Sequence, residues 1–317
     1  MKKLLLLIPA FIGTIQPAFA CDLCECHLPV EAKSAGPGIS IGLFEQFTHF
    51  GTLQLDGKSV HDPADQKLDS SITQFLVGYQ LNDKFGLQMN IPYISRSFRR
   101  ADGLGGIDSA TVSGLGDMSL VGQYRVWQHQ AEKTNYSWNL IGGVKLPTGS
   151  SDRIKEELVE SEGDPNAPKS GIHGHDLALG SGSYDIIIGT TFFGLRDRLY
   201  VKGGITYTIR SRGDFDYRYA NDLHWNIKPG VYLWQSDEGT LGLQAVISSE
   251  YKGKDDLNGV TAEDTGMSAV YAGPELSYTW SEKLSAELGA EFPIVSNNTS
   301  LQLVPDYRVK AAMTWRF

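Results

Sequence analysis

The sequence predicts an all-β fold: a closed antiparallel transmembrane β-barrel of about twelve strands, with short periplasmic turns and long extracellular loops. Three observations lead to this prediction. Segments that alternate apolar and polar residues recur along the chain. The connections between them are alternately short and longer, and the chain ends in an alternating strand whose last residue is Phe317.

The first twenty residues have the organisation of a secretory signal peptide. A pair of lysines is followed by a largely apolar stretch from Leu4 to Ile15 and by Ala18-Phe19-Ala20, which fits a cleavage site. This stretch is shorter than the roughly 18 residues of a membrane-spanning helix. We therefore predict export, removal of residues 1–20, and a mature chain that begins at Cys21.

Residues 21–37 are predicted to form a periplasmic leader, and they hold all three cysteines of the chain. Cys21, Cys24, Cys26 and His27 offer three thiolates and an imidazole, which suit a soft metal ion such as zinc or copper(I). The oxidising periplasm also favours a disulfide, and acylation of Cys21 would create a lipid anchor. The residues leave these three interpretations open, and the sequence indicates no other cofactor.

Residues 38–317 are predicted to form the barrel, because they contain twelve segments of period two, most with turn residues at both ends. In one of them Tyr136, Trp138 and Leu140 alternate with Ser137 and Asn139. The predicted strands span residues 38–50, 70–82, 84–97, 115–128, 134–147, 182–193, 198–211, 222–235, 239–251, 267–280, 283–294 and 304–317.

The lengths of the connections fit a barrel that crosses the outer membrane. Those after even-numbered strands are short, such as Asn82-Asp83 and Ser281-Glu282, whereas those after odd-numbered strands are mostly longer. This alternation is typical of outer-membrane barrels, whose short turns are periplasmic. Closure of the sheet also leaves no unpaired edge in lipid. We predict a location in the bacterial outer membrane, with outer-membrane lipid as a partner.

The longest connection runs from about Thr148 to Ser181. Its charged segment from Asp152 to Glu162 is expected to form a short helix in a solvated lid over the outer face. The same loop carries His173, His175 and Asp176, which could hold a divalent ion.

The last strand shows the alternation clearly. Its second face carries three cations, whereas its first face is apolar, as a wall between lipid and a polar lumen requires. The terminal Phe317 resembles the signal that outer-membrane assembly machinery reads, so we expect that machinery to be a partner. The apolar face comprises Tyr307, Val309, Ala311, Met313, Trp315 and Phe317.

Strand phase places many charged residues in the lumen, since a charge that faces hydrocarbon is costly. These charges could pair across a narrow lumen and brace the barrel, or they could line a hydrated path. The predicted lumen-lining residues are Asp117, Arg125, Lys145, Asp185, Lys202, Lys228, Glu250, Glu275, Glu287, Glu291, Arg308, Lys310 and Arg316.

Composition agrees with export and excludes some partners. The formal net charge of −9 argues against nucleic acid as a partner. The mean hydropathy of −0.22 is compatible with a barrel, in which only alternate residues meet lipid.

Three short motifs carry a resemblance to a known family. Gly114-Leu115-Gly116-Asp117, Gly143-Val144-Lys145-Leu146-Pro147-Thr148-Gly149 and Gly180-Ser181-Gly182-Ser183-Tyr184-Asp185 resemble recurrent motifs of the MetA-pathway-of-phenol-degradation family of outer-membrane transporters. That family is distantly similar to channels for fatty acids and aromatic hydrocarbons. The resemblance covers the chain from about residue 40 to its end. It implies a barrel and a role in uptake, and it brings no catalytic residues.

We predict a channel or transporter for small solutes, with apolar or aromatic molecules as one candidate class. One alternative is a sheath or docking protein that receives a periplasmic metal or electron carrier through the cysteine cluster. A second alternative is a barrel-embedded hydrolase, which would need a Ser-His-Asn arrangement at the rim. His49 is near such a rim, but no convincing serine partner accompanies it. We therefore predict that the protein is not an enzyme.

Overall fold

The computed structural model describes residues 37–158, 167–281 and 283–317, and its main sheet is a closed antiparallel barrel of twelve strands. Each strand pairs with the next one along the chain, and the last pairs with the first. The predicted fold class is therefore confirmed. The strands are β1 (Gly38–Leu55), β2 (Lys67–Gln80), β3 (Phe85–Ala101), β4 (two segments, Ile107–Leu115 and Ser119–Ala131), β5 (Thr134–Lys145), β6 (Asp185–Arg196), β7 (Leu199–Ile209), β8 (Asp222–Gln235), β9 (Gly239–Lys252), β10 (Met267–Trp280), β11 (Leu284–Asn298) and β12 (Leu301–Arg316).

The remaining elements are small and belong to the extracellular loops. The loop between β5 and β6 contains a 3₁₀ helix (Asp152–Leu158) and a single α-helical turn (Gly174–Leu177). A second 3₁₀ helix (Asp214–Asp216) lies between β7 and β8. Within the described ranges no helix has the length and apolar character needed to cross a membrane. The predicted signal peptide and residues 21–36 of the predicted leader lie outside the described residues.

Side chains along the strands alternate between the lumen and the outer surface. In β12, Val309 and Met313 are exposed on the outside, whereas Arg308 and Thr314 are buried in the lumen. Exposed aromatic side chains lie near the turn ends of several strands. They include Tyr124, Trp127, Trp138, Tyr278 and Trp280. This arrangement suits a wall whose outer surface meets lipid.

The strands at the closing seam are longer than predicted. β1 continues to Leu55 and β12 begins at Leu301, so β11 and β12 are joined by only two residues, Thr299 and Ser300. The expectation of a longer loop after strand eleven is therefore wrong. The side chain of Asn298 donates hydrogen bonds to the carbonyl oxygens of Gln54 and Ser300, and these bonds hold the tight turn against β1.

β4 is interrupted where the sequence predicted a continuous strand from residue 115 to 128. Residues 116–118 leave the sheet, because the returning arm of the long loop passes close to Gly116. A Cβ atom at Gly116 would lie 2.7 Å from Cδ1 of Ile94 and 3.2 Å from the carbonyl oxygen of Leu179. Only glycine allows this approach without displacement of its neighbours.

Above the interruption, loop residues complete part of the barrel wall. Among the described residues, the segment Ile107–Leu115 pairs with β3 and with no second strand of the sheet. On its other side β5 ends at Lys145, which lies opposite Ser119. The amide of Leu146 donates to the carbonyl oxygen of Met118 at 2.8 Å. The hydroxyl of Thr148 donates to the carbonyl oxygen of Gly116 at 3.0 Å. The chain after β5 therefore bends along the wall before it enters the lumen.

The outward position of Leu288 on β11 provides a test of the wall. The substitution Leu288→Arg would place a charge in hydrocarbon, and it should reduce the free energy of unfolding by about 2–4 kcal/mol near the bilayer midplane. Denaturant unfolding of the protein in lipid vesicles would measure this change. The control is Val260→Arg on an exposed loop, which should be nearly neutral. Equal effects of the two substitutions would contradict the assignment of the outer face.

Candidate functional site

The long loop between β5 and β6 folds into the extracellular half of the barrel. Ile172 and Leu177 are almost fully buried in an apolar cluster with inward-facing strand residues. The predicted short helix is present as the 3₁₀ helix Asp152–Leu158, in which Asp152, Lys155 and Leu158 are exposed, whereas the later part of the loop packs inside the barrel. Residues 159–162 of the predicted lid lie outside the described residues, so the lid stays a prediction for the charged segment. We call the described part of this loop, residues 146–158 and 167–184, the plug. The strand partners in the cluster are Phe50, Leu53, Leu68, Phe98, Met267, Leu303 and Val304.

Polar contacts fix the plug at two places inside the barrel. The guanidinium of Arg96, which faces the lumen from β3, donates to the carbonyl oxygens of Asp176 and Ala178. On β12, which lies three strands from β3 around the barrel, the backbone amide of Leu303 donates to the carbonyl oxygen of Gly171 at 2.9 Å. These bonds join the plug to β3 and β12 and hold it against that side of the lumen.

The three family-like motifs meet at the base of the plug. Asp117 of the first motif accepts hydrogen bonds from the amides of Gly149 and Ser181 at 2.9 and 3.0 Å. Lys145 of the second motif forms ion pairs with Asp117 and with Asp185 of the third, the latter at 2.8 Å. Residues of all three motifs therefore bind both arms of the plug to the barrel wall.

This buried ion cluster extends along the wall beyond the motifs. Asp185 also pairs with Arg210 at 3.0 Å, and Arg210 pairs with Asp222. Every side chain in the series Asp117, Lys145, Asp185, Arg210 and Asp222 is at most 5% exposed. Buried charges need partners because their desolvation is costly. The cluster therefore depends on each of its members.

Below the plug, paired charges cross the middle of the lumen. Lys202 lies 2.7 Å from Glu287, Lys228 lies 2.9 Å from Glu275, and Lys310 lies 3.2 Å from Glu291. We call these six residues the charged belt. They line a cavity of only about 80 Å³. With three cations and three anions, the belt has no formal net charge.

The lumen widens on the periplasmic side of the belt. A vestibule of about 950 Å³ is lined by the turn regions between β4 and β5, between β6 and β7 and between β8 and β9. Lys202 and Glu287 line both this vestibule and the belt cavity. The space inside the barrel therefore narrows from the periplasmic end toward the plug.

A small cavity of about 40 Å³ lies against the inner side of the plug. Its lining is mainly apolar and includes Phe50, Met267 and Tyr271, and its charged members are Arg96, Asp176 and Glu250. The guanidinium of Arg308 lies 4.2 Å from the centre of the Tyr271 ring and pairs with Glu250. An aromatic and cationic surface of this type can contact the face of a planar apolar solute.

The predicted lumen residues fall at several levels. Asp117, Lys145 and Asp185 belong to the buried ion cluster, Glu250 lines the small cavity, and Arg308 pairs with Glu250. Lys202, Lys228, Glu275, Glu287, Glu291 and Lys310 form the belt. Arg125 lies near the periplasmic end, where it donates to the carbonyl oxygen of Asp83 at 2.8 Å, and Arg316 lines the vestibule.

Sequence reasoning missed Arg96, Arg210 and Asp222. Arg96 has the same strand phase as Ile94 and Phe98, which are buried in the lumen, so alternation along β3 was the signal that could have revealed it. The predicted metal ligands Cys21, Cys24, Cys26 and His27 lie outside the described residues. The docking role that rests on them stays a prediction.

The histidines of the plug form a compact group with carboxylates. The ligand atoms of His173, His175 and Asp176 all lie within 4.8 Å of one another. Burial alone would lower the pKa of His175, but the carboxylates of Asp176 and Glu157 outweigh this effect and raise the pKa well above its usual range. Burial alone would raise the pKa of Asp176, but the charges and hydrogen bonds of His175 and His173 outweigh this effect and lower it.

His49, which was considered for a hydrolase, lies beside two carboxylates. Its Nδ1 atom is 2.6 Å from Asp69, and its Nε2 atom is 3.9 Å from Asp306. Within the described residues no serine hydroxyl hydrogen-bonds to this ring. The arrangement does not provide the nucleophile–base pair of a hydrolase.

The closed barrel, its apolar outer wall and its polar, plugged lumen define an outer-membrane β-barrel protein. Comparison of the sequence with known families gives the particular group. The profile of the family described as "Putative MetA-pathway of phenol degradation" matches residues 53–157 and 167–302. The chain belongs to this family, as the three motifs predicted.

Other comparisons concern the fold. No curated protein matches the chain. The COG4313 outer membrane channel from Pseudomonas putida F1 is similar in structure, with 14% identity, coverage of 92% of this chain and 100% of that chain, and a TM-score of 0.60. The beta domain of the Bordetella autotransporter BrkA has 9% identity, coverage of 89% and 100%, and a TM-score of 0.43.

Removal of Lys145, the cation between Asp117 and Asp185, tests whether the buried ion cluster depends on each of its members. Lys145→Met leaves Asp117 and Asp185 buried without their shared partner, and it should reduce the free energy of unfolding by about 3–5 kcal/mol. Denaturant unfolding followed by tryptophan fluorescence would measure the loss. The additional change Asp117→Asn should recover part of it, because it removes one of the stranded charges.

The matched control for Lys145 is Lys155. Its ion pair with Asp152 is exposed, so Lys155→Met should cost less than about 1 kcal/mol. A loss of similar size in the two variants would contradict the structural role of the cluster.

Proposed function

We propose that this protein is an outer-membrane channel for small solutes, with apolar or aromatic molecules as its substrate class. The observation that carries the proposal is the series of spaces inside the barrel. A vestibule of about 950 Å³ leads to the charged belt, and a small apolar cavity lies between the belt and the plug. A purely structural barrel would have no need for a vestibule of this size.

The chemistry of the small cavity supports the substrate class. Phe50, Met267 and Tyr271 offer apolar and aromatic contact surface, and Arg308 stacks on the Tyr271 ring. Sites for small molecules are commonly apolar, with a few polar groups that orient the ligand. The family description refers to phenol degradation, and the similar Pseudomonas putida protein is described as a channel. Both agree with the proposal.

Passage requires movement of the plug. Its apolar contacts and its bonds to Arg96 and Leu303 close the extracellular half of the barrel, so the described conformation is the closed state of the channel. The belt would then set which ions pass, whereas the cavity would select for apolar solutes. No catalytic step forms part of this proposal.

Replacement of the plug should open the pore. The amides of Leu179 and Gly180 both donate to the carbonyl oxygen of Ser150, so the two arms of the loop meet there and a short Gly-Ser linker can replace residues 151–178. We expect this variant to show large, steady single-channel conductance in planar bilayers, whereas the parent shows small or transient events. Addition of phenol should reduce the current through contact with Phe50, Met267 and Tyr271, which lie on the strands and remain in this variant, whereas glycerol should not.

A matched control changes another loop. Residues 256–261 form a hairpin whose tip, residues 258–261, is exposed, whereas Leu257 packs against the cluster that contains the plug residues Ile154 and Ala178. Insertion of the same linker between Asn258 and Gly259 keeps these contacts and should leave the conductance unchanged. A folded plug-replaced barrel that stays as silent as the parent would overturn the channel proposal.

The charged belt should determine ion selectivity in the plug-replaced pore. Glu287→Gln removes a negative charge that lies beside Lys202 and Lys228, so the belt gains a net positive charge. The reversal potential in a salt gradient should therefore shift toward anion selectivity. The control Glu263→Gln changes an exposed loop carboxylate and should have no effect. An unchanged reversal potential in Glu287→Gln would show that ions do not pass along the belt.

A further inference from the structure

Two histidines and two carboxylates of the plug, together with one carboxylate of a neighbouring loop, form an arrangement that resembles a metal centre. His173, His175 and Asp176 are close in sequence, and Glu157 comes from the other arm of the same loop. Asp264 comes from the loop between β9 and β10. The histidine side chains are 10% and 1% exposed, so the group lies below the surface of the extracellular cap.

One nitrogen atom in this group has no hydrogen-bond partner. Nδ1 of His173 is fully shielded from solvent, and it lies 3.9 Å from the nearer oxygen of Asp176, beyond hydrogen-bonding distance. Buried polar atoms are almost always paired, by protein groups, water or ions. The unpaired nitrogen therefore indicates a missing partner between His173 and Asp176.

The second histidine presents its ring to the same position. Nδ1 of His175 lies 2.9 Å from Glu157, which leaves Nε2 directed toward Asp176 at 3.2 Å. Zinc lies about 2.0–2.2 Å from nitrogen and oxygen ligands, so tetrahedral donors are roughly 3.4 Å apart. The observed separations of 3.2 and 3.9 Å are close to that spacing.

A carboxylate lies near the second ring nitrogen of each histidine. Nε2 of His173 lies 3.7 Å from Asp264, and Nδ1 of His175 contacts Glu157. Histidines that bind a metal usually direct their second nitrogen to a carboxylate, which fixes the orientation of the ring. His175 therefore has the hydrogen-bonded outer partner that a metal ligand usually has, whereas Asp264 lies beside His173 at a distance longer than a hydrogen bond.

We propose that His173, His175 and Asp176 bind one divalent transition-metal ion of the zinc class, with Glu157 and Asp264 as supporting carboxylates. Three protein ligands leave one coordination position for water. The ion would fix the two histidine rings beside Glu157 of the other arm and Asp264 of the β9–β10 loop, and so would help to hold the plug in the lumen. This inference does not depend on the transport function proposed above.

The test uses the mature full-length chain with Cys21, Cys24 and Cys26 changed to Ser and with His27→Gln, so that the leader cannot bind metal. Cobalt(II) serves as the spectroscopic probe, and zinc(II) serves as the competitor, at mildly alkaline pH because the ligands must be deprotonated. We expect one equivalent of cobalt with the absorption of nitrogen and oxygen coordination, and displacement by zinc.

Variants distinguish this site from non-specific binding. His173→Gln or His175→Gln should weaken cobalt binding by about 100-fold or more, and Glu157→Gln should weaken it by about 10–100-fold. His61→Gln, in an exposed loop, is the matched control and should bind like the parent. No stoichiometric binding in the parent, or equal binding after His173→Gln, would overturn the proposal.

A second measurement needs no histidine variant and therefore remains informative if such a variant fails to fold. Zinc should raise the unfolding temperature of the parent and slow tryptic cleavage after Arg153 and Lys155, and a chelator should reverse both effects. The absence of both effects at saturating zinc would overturn the proposal. Channel conductance is not used in either experiment, so failure here leaves the proposed function untouched.

Discussion

A sheet surrounded by lipid has to satisfy its backbone hydrogen bonds within itself, because hydrocarbon offers no partner. In this protein the pairing of β1 with β12 satisfies that constraint and closes the barrel. Twelve strands enclose a narrow lumen, and alternation points every second side chain into it. Those side chains must therefore fill the space or pair with one another. The charged belt and the apolar cluster under the plug are two solutions to this packing problem at different depths.

The apolar cluster and the charged belt differ in what an opening of the lumen would require. The apolar cluster depends on close contact between Ile172, Leu177 and the upper strands, so withdrawal of the plug exposes apolar surface to water. The belt depends on pairs such as Lys228 and Glu275, whose side chains are already in a polar surrounding and can exchange one partner for water. In the proposed channel the upper barrier would therefore be hydrophobic, whereas the belt would act as a polar filter that stays in place during passage.

Strand periodicity was sufficient to predict the wall. The alternation of Val309 and Met313 with Arg308 and Thr314 is a local pattern, since the barrel places lipid and lumen on opposite faces of each strand. The plug was not predictable in this way. Ile154, Ile172 and Leu177 are isolated apolar residues in a polar loop. Ile154 is buried against Tyr217 and Tyr219 of another loop, and Ile172 and Leu177 are buried against strands as distant in the sequence as β1 and β12. The interruption of β4 was hidden for the same reason, because Gly116 reads as an ordinary turn glycine until Leu179 is placed beside it.

The composition of the apolar cluster also bears on the order of assembly. Phe50 and Leu68 come from the first two strands to be made, whereas Met267, Leu303 and Val304 come from the last three. The plug can therefore reach its final packing only after the beginning and the end of the chain have come together. Its docking would be a late event in membrane insertion, and a protected plug would mark a barrel that has closed correctly.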